Sequence, residues 1–284
     1  SPNTARFARA SSRLCGTGSH ACTTASGWRL PFERVKRLVY PERQKGNRKA
    51  HRDRWWQYGD KRPALRKAIG DLDEVLVIAL VSKAVMPARV PTGQVMSHML
   101  GVFASDSYVD QAVLSSTAHQ LWAITYGSTL ETRVRYTPSD VFDTFPRPGP
   151  TALLERDGRN LDSERREIML RRDLGLTKLY NLVDDVQIAN SSDSDVARMR
   201  AIHVELDQAV MDAYGWSDIP LDHGFHTYRQ MERWTVSAAA RVEILDRLLE
   251  ENHRRAAAET KQAPQTKRKS RRGKSAPDEQ GTLL

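Results

Sequence analysis

The chain has 284 residues and a mass of 32.1 kDa, with 39% hydrophobic and 28% charged residues, a net charge of +9 and a mean hydropathy of −0.58. That length admits one large domain or two modest ones, and no stretch approaches the ~18–20 apolar residues of a membrane span. The first 30 residues have no apolar core of the kind a secretory signal needs, and the chain starts at Ser1, which fits a processed or truncated piece of something longer.

The charge is unevenly spread. Residues 1–27 hold three arginines and no acid, 28–54 ten basic and three acidic residues, and 254–284 nine basic and three acidic. Residues 55–150 balance at nine and nine, whereas 151–253 hold thirteen basic against twenty acidic. Basic flanks around a less charged body fit phosphate-tracking arms, and they fit equally well basic ends with no specific partner. Cys15 and Cys22, spaced Cys-x6-Cys with no third cysteine, make neither a zinc site nor a disulfide framework. They read as incidental thiols in a reducing cytoplasm.

In chain order, residues 1–27 are rich in Ser, Thr, Ala, Gly and Arg without periodicity and read as disordered or foreign to the fold. From Trp28 aromatic residues mix with basic ones, a composition suited to a nucleic-acid backbone; Trp55 and Trp56 also fit core positions beside a solvated loop. PALRKAIGDLD (63–73) predicts a short helix that opens on proline and closes at Gly70. EVLVIALVS (74–82) predicts a buried strand and GQVMSHMLGVFAS (93–105) another, with the segment from Pro87 to Pro91 as the turn between them. Residues 107–127 predict one helix, apolar nearly all round and ending at Gly127. STLETRVRYT returns to strand alternation, and SDVFDTFPRPGP predicts an extended exit.

Beyond Pro150 the pattern is helical. A charged helix is expected over 151–173, a shorter one at GLTKLYNLVDD, and a third at SDVARMRAIHVELDQAVMDAYGW. This last has Val196, Met199, Ile202, Leu206, Ala209 and Ala213 at spacings of three and four, and a stop at Gly215. Residues 236–256 predict a final helix with Val242, Leu245 and Leu249 on one stripe, before a low-complexity basic tail that reads as disordered.

No catalytic constellation is visible. CGTGS (15–19) follows no strand and opens no helix, and GxxxxGK[ST], nucleophile elbows and HExxH are absent. Glu259-Thr260-Lys261 has the acid-and-lysine look of a metal nuclease but no partner acid, and reads as solvated surface. His223 and His226 have a metal-compatible spacing within a segment that reads as a capping loop. His98, His119 and His203 fall within apolar elements and read as satisfied core histidines.

One stretch stands out. In LETRVRYTPSDVFDTFPRP (130–148), Glu131, Arg133 and Arg135 alternate as if on one face of a single strand. Side chains two apart in a strand share a face at about 6.5–7 Å. Arginine suits the O6 and N7 edge of guanine and a carboxylate the N4 amine of cytosine, so such a row is able to read neighbouring base pairs. The same row also fits a surface of cross-strand salt bridges.

From about Leu38 to Arg255 the chain resembles the C-terminal half of MmeI-like type IIG/IIL restriction–modification enzymes and related adenine-specific DNA methyltransferases, including phage-defence members. Six segments carry the resemblance in the family's order. They are RWWQYGDKRPAL (54–65), VSKAVMPARVPTG (81–93), LSSTAHQLWAITYGSTLETRVRYTPSDVFDTFPRP (114–148), GLTKLYN (175–181), HVELDQAVMDAYGW (203–216) and RVEILDRLLEENHRR (241–255). The resemblance implies an α+β chain with four parts. Residues 1–27 match nothing in the family, 28–150 are a DNA target recognition domain, 151–258 a helical C-terminal domain, and 259–284 a disordered basic tail.

It also implies a parent enzyme that methylates adenine N6 by base flipping. Its S-adenosylmethionine fold and Asn-Pro-Pro-Tyr/Phe motif would lie in an N-terminal methyltransferase domain of the same or a separate chain, and some members add a Mg2+-dependent nuclease. Double-stranded DNA is the implied partner, and no membrane. Glu131 and Arg133 hold the place of the family's base-recognising residues, just before Arg135-Tyr136-Thr137, which matches its R-Y-[ST] motif. Arg135, Tyr136, Arg43, Lys45, Arg48, Lys49 and Lys83 are the expected backbone-contacting or supporting residues. Two other readings stay open: a stand-alone or truncated DNA-binding specificity protein, and an unrelated basic nuclease, which the missing metal–carboxylate cluster disfavours.

Overall fold

A computed structural model describes residues 29–57, 62–130, 133–228 and 231–262; Cys15, Cys22, the expected disordered start and residues 263–284 of the expected tail lie outside them. The first described element is one that composition did not predict. Phe32, Val35, Val39 and Arg43 recur at spacings of three and four, and they form the inner stripe of helix α1 (Arg29–Lys45), followed by the short α2 (Lys49–Asp53). Trp55 is buried, with its ring centre 5.7 Å from Phe32, 5.3 Å from Tyr40 and 5.8 Å from Trp56.

Helix α3 (Pro63–Ala68) starts on its proline as expected. Next comes a three-stranded antiparallel sheet in the order β3-β1-β4, built from β1 (Glu74–Ala79), β3 (Ala88–Pro91) and β4 (Leu100–Phe103). Leu76 and Ile78 enter the main core, while Val75 and Val77 pack with Ile69 on the other face. Both faces are covered, which is why EVLVIA reads as one continuous apolar run.

The expectations for this region need two corrections. The segment from Pro87 to Pro91 contains an edge strand, where a proline costs no ladder bond on its solvent side, with Val75 paired to Val90. Residues 93–99 are not strand. Ser97 turns the chain there, its Oγ accepting from Met99 N–H at 3.2 Å and its carbonyl from Leu100 N–H at 3.2 Å. His98 is consequently exposed, not a core histidine.

The apolar stretch 107–127 is two helices, α4 (Tyr108–Ser115) and α5 (Thr117–Tyr126). Ser116 adopts an extended ψ of 159° and caps α5 by accepting from His119 N–H, as Ser107 caps α4 through Asp110 N–H. A serine that competes for backbone donors splits a helix that periodicity reads as continuous. The expected extended exit contains a helical turn, α6 (Pro138–Val141).

Helices α7 (Ala152–Arg171), α8 (Leu176–Val183) and α9 (Ser194–Tyr214) fall where their patterns place them, and α9 ends at Gly215 with a left-handed φ of 76°. A hairpin of β7 (Gly224–Tyr228) and β8 (Met231–Thr235) then replaces the expected loop. The last helix, α10 (Ala238–Gln262), runs past residue 258 into the expected tail. Its buried stripe is Ala240, Ile244 and Leu248, and Val242, placed on the stripe by sequence, is 62% exposed.

The chain is thus α+β, with small antiparallel sheets among helices. Its main core runs without a gap from Leu76 to Leu248, across Pro150. Helix α4 lies so close to α7 that a Cβ on Gly158 would overlap the Tyr108 carbonyl oxygen. Buried Gln111 donates to Asp162 at 3.1 Å across the same contact.

Candidate nucleic-acid interface

Helix α5 ends at Gly127 and feeds β5 (Ser128–Leu130), which pairs antiparallel with β6 (Arg133–Arg135). On its other side β6 pairs with β2 (Val81–Ser82), so β6 is the middle of a three-stranded sheet in the order β2-β6-β5. Leu130 pairs with Arg133, so the chain reverses between these two residues. The strand expected over 128–137 is therefore two paired strands, β5 and β6, with no Gly, Pro, Asn or Asp between Leu130 and Arg133 to announce the reversal. Glu131 itself lies outside the described residues.

Within β6 the alternation is clear. Val134 is buried, and Arg133 and Arg135 are exposed on the opposite face. Extending the pairing of Val81 with Arg135 and Ser82 with Val134 by one residue brings exposed Lys83 alongside Arg133. Lys83 is held through its carbonyl, which accepts from Arg233 of β8 at 3.0 Å. The structure therefore gathers Arg133, Arg135 and Lys83 on one sheet.

Tyr136, by contrast, faces inward and is 3% exposed, so it supports the sheet and is out of reach of a DNA backbone. Its N–H donates to the Leu80 carbonyl at 2.8 Å, and its hydroxyl meets His119 Nε2 at 3.0 Å. The Leu114 carbonyl, 2.7 Å from His119 Nδ1, can only accept. Nδ1 therefore carries the proton, and Nε2 accepts from the phenol. Burial pushes the Tyr136 phenol well above its ordinary range and drops His119 to about 4, so both are neutral near pH 7.

Leu80 welds the two sheets through its main chain. Its N–H donates to the Met99 carbonyl at 2.9 Å, next to β4, while its own carbonyl holds Tyr136 at the end of β6.

Arg43, Lys45, Arg48 and Lys49 sit together on the α1–α2 hairpin and share no strand with β6. Lys45, Arg48 and Lys49 are exposed, and none forms an ion pair among the described residues. Cations of the helical region are mostly tied down: Arg247 to Asp218 at 2.6 Å, Arg172 to Asp193 at 2.9 Å, Arg255 to Glu251 at 2.6 Å.

A buried polar node also went unseen in the sequence. Asp207, 2% exposed, accepts from Thr117 N–H at 2.7 Å, from Thr117 Oγ1 at 2.6 Å, and pairs with His223 Nε2 at 2.9 Å. His203 meets the Tyr180 hydroxyl at 2.8 Å beside it, and burial lowers its pKa to about 4. These groups line a cavity of about 50 Å³ between α5, α8, α9 and the β7–β8 hairpin. With His223 on Asp207, and His226 Nε2 3.0 Å from the Asp222 carbonyl, the pair does not converge on a common ligand. Among the described residues, no three His, Cys, Asp or Glu side chains come together as a metal site, and no helix is long and apolar enough to cross a membrane.

No protein-family model and no curated protein matches this chain. Among solved structures, its fold is similar to part of MmeI, a type IIL restriction–modification enzyme whose structure was determined in complex with DNA. The match has a TM-score of 0.50 at 20% identity and covers 84% of this chain but 28% of the MmeI chain. At that identity the likeness is one of fold, and this chain spans less than a third of that enzyme's length.

Proposed function

We propose that this chain is the DNA target-recognition portion of an S-adenosylmethionine-dependent adenine-N6 DNA methyltransferase of the restriction–modification kind. The observation that carries the reading is β6, a central strand that buries Val134 and presents Arg133 and Arg135 outward. The fold it shares with part of a DNA-bound restriction–modification enzyme supports it. Two arginines about 6.5–7 Å apart on one face are about two base-pair steps apart along a duplex, and each good bidentate contact to guanine is worth about 1–3 kcal/mol of discrimination. Glu131, just ahead of the strand, is the proposed acceptor for a cytosine amine. Lys83 is the proposed phosphate contact beside the strand, holding the duplex in register without reading it.

The residues here do not fit the cofactor. No described strand passes through a glycine-rich turn into a helix, and the sequence has no Asn-Pro-Pro-Tyr/Phe. Methyl transfer, and any Mg2+-dependent cleavage, would belong to a partner domain. Restoring a methyltransferase half and mapping methylated sites for wild type and for Glu131→Lys with Arg133→Asp tests the proposal. A changed base at one position of the site is expected. Normal methylation at an unchanged site would overturn it.

A further inference from the structure

We infer that the helical hairpin of residues 29–57 is a sequence-blind clamp on the phosphate backbone of duplex DNA, built apart from the sheet that reads bases. The inference rests on the DNA-recognition reading above. Phe32, Tyr40, Trp55 and Trp56 pack on one another, and none of them belongs to the main core or to the small core beneath β1. The hairpin therefore carries an aromatic cluster separate from those two cores.

Its outer face has one chemistry. With Phe32, Val35, Val39 and Arg43 turned inward, helical spacing sets Arg34, Arg37 and Lys45 on the opposite side of α1, and all three are exposed. From Arg34 to Lys45 the helix rises about 16 Å, the axial rise of about five phosphates on one strand of duplex. None of Arg34, Lys36, Arg37, Lys45, Arg48 and Lys49 forms an ion pair among the described residues, although Glu33, Glu42 and Asp53 lie in the same stretch.

In the helical region many arginines are paired with the chain's own carboxylates, as Arg172, Arg247 and Arg255 are. Here the chain leaves a row of cations standing. A cationic row of that length, without a carboxylate partner among the described residues and carried on two successive helices, matches a polyanion of regular spacing better than a globular acidic surface. Because the hairpin shares no core with β6, what it adds is affinity and not base preference.

The test uses the full chain with Arg34→Gln, Arg37→Gln and Lys45→Gln, all on exposed positions. Binding to a mixed-sequence 30-base-pair duplex is followed by fluorescence anisotropy across a salt series. Each lost phosphate contact lowers the slope of log K against log salt by about 0.9, so the triple variant should show a slope shallower by about 2.7, equal losses on unrelated sequences, and an unchanged melting temperature. Wild-type binding with an unchanged slope in the variant would overturn the clamp while leaving the recognition reading intact. Losses that differ between sequences would overturn it too, by making these side chains readers. A wild-type chain with no affinity for duplex would remove both.

Discussion

Arg133, Val134, Arg135 and Tyr136 are four consecutive residues with two different duties. Val134 and Tyr136 are buried and fasten the strand, and Arg133 and Arg135 are exposed on its other face. Exchanging Arg135 for Gln should therefore leave stability within about 0.5 kcal/mol, whereas Tyr136→Phe strands His119 Nε2 without a donor and should cost about 1–3 kcal/mol. Urea unfolding of the two variants checks the contrast. Acid sensitivity is also set by a few residues. Burial holds His119 and His203 at about 4, below their ordinary value, so unfolding takes up two protons near pH 5 and stability falls as the pH drops from about 6.5 towards 4. Asp184 works the other way. Burial raises it to about 6, against the pull of Arg233, the Trp234 N–H and Arg200. Near pH 5 it is protonated in the folded state and ionised in the unfolded one, so it offsets one of those protons. Asp184→Asn removes the offset, and the loss of stability per pH unit between 6 and 4 should roughly double, from about 1.4 to about 2.8 kcal/mol. Equal slopes in urea titrations of the two proteins would contradict these assignments. The sequence showed His119 and His203 correctly as core residues from their apolar settings. It misplaced His98, because a polar turn at Ser97 interrupts an apolar pattern without changing it.

At the scale of elements, long amphipathic helices were legible and short connections were not. Helices α7, α8 and α9 follow from their spacing, whereas the break at Ser116, the edge strand before Pro91 and the β7–β8 hairpin depend on a serine cap and on strand pairing that helical periodicity does not register. The same limit hid the pairing of β5 with β6, so the exposure of Arg133 and Arg135 could be foreseen but not the two strands that one alternating run becomes. Tertiary contact also reverses local preference at Gly158. Alanine is favoured over glycine inside an isolated helix by about 1 kcal/mol. Here the added methyl would enter the Tyr108 carbonyl, and Gly158→Ala should instead destabilise by at least 1–3 kcal/mol as α4 and α7 are forced apart. Thermal melting gives the sign directly.

For the whole molecule, the change of sequence texture at Pro150 suggests a boundary, and the packing crosses it. Leu76 and Leu248 belong to one core, and the N-terminus of α5 is fixed by Asp207 on α9. A fragment of residues 62–150 should therefore lack fixed tertiary structure, and circular dichroism and amide dispersion in NMR should show an unfolded chain, while residues 62–262 should melt in one transition. Among the described residues, the aromatic cluster of the hairpin belongs to neither core of the segment that begins at Arg62. This has a bearing on inheritance. When related genes recombine, a crossover at Pro150 would join two half-cores shaped for other partners, and most such hybrids would be lost. A crossover just upstream of Arg62 would leave the body whole. New pairings of bodies and preceding segments should accordingly arise by exchange at that joint and, on the proposed reading, new base preferences within a body by single changes at an exposed position such as 133.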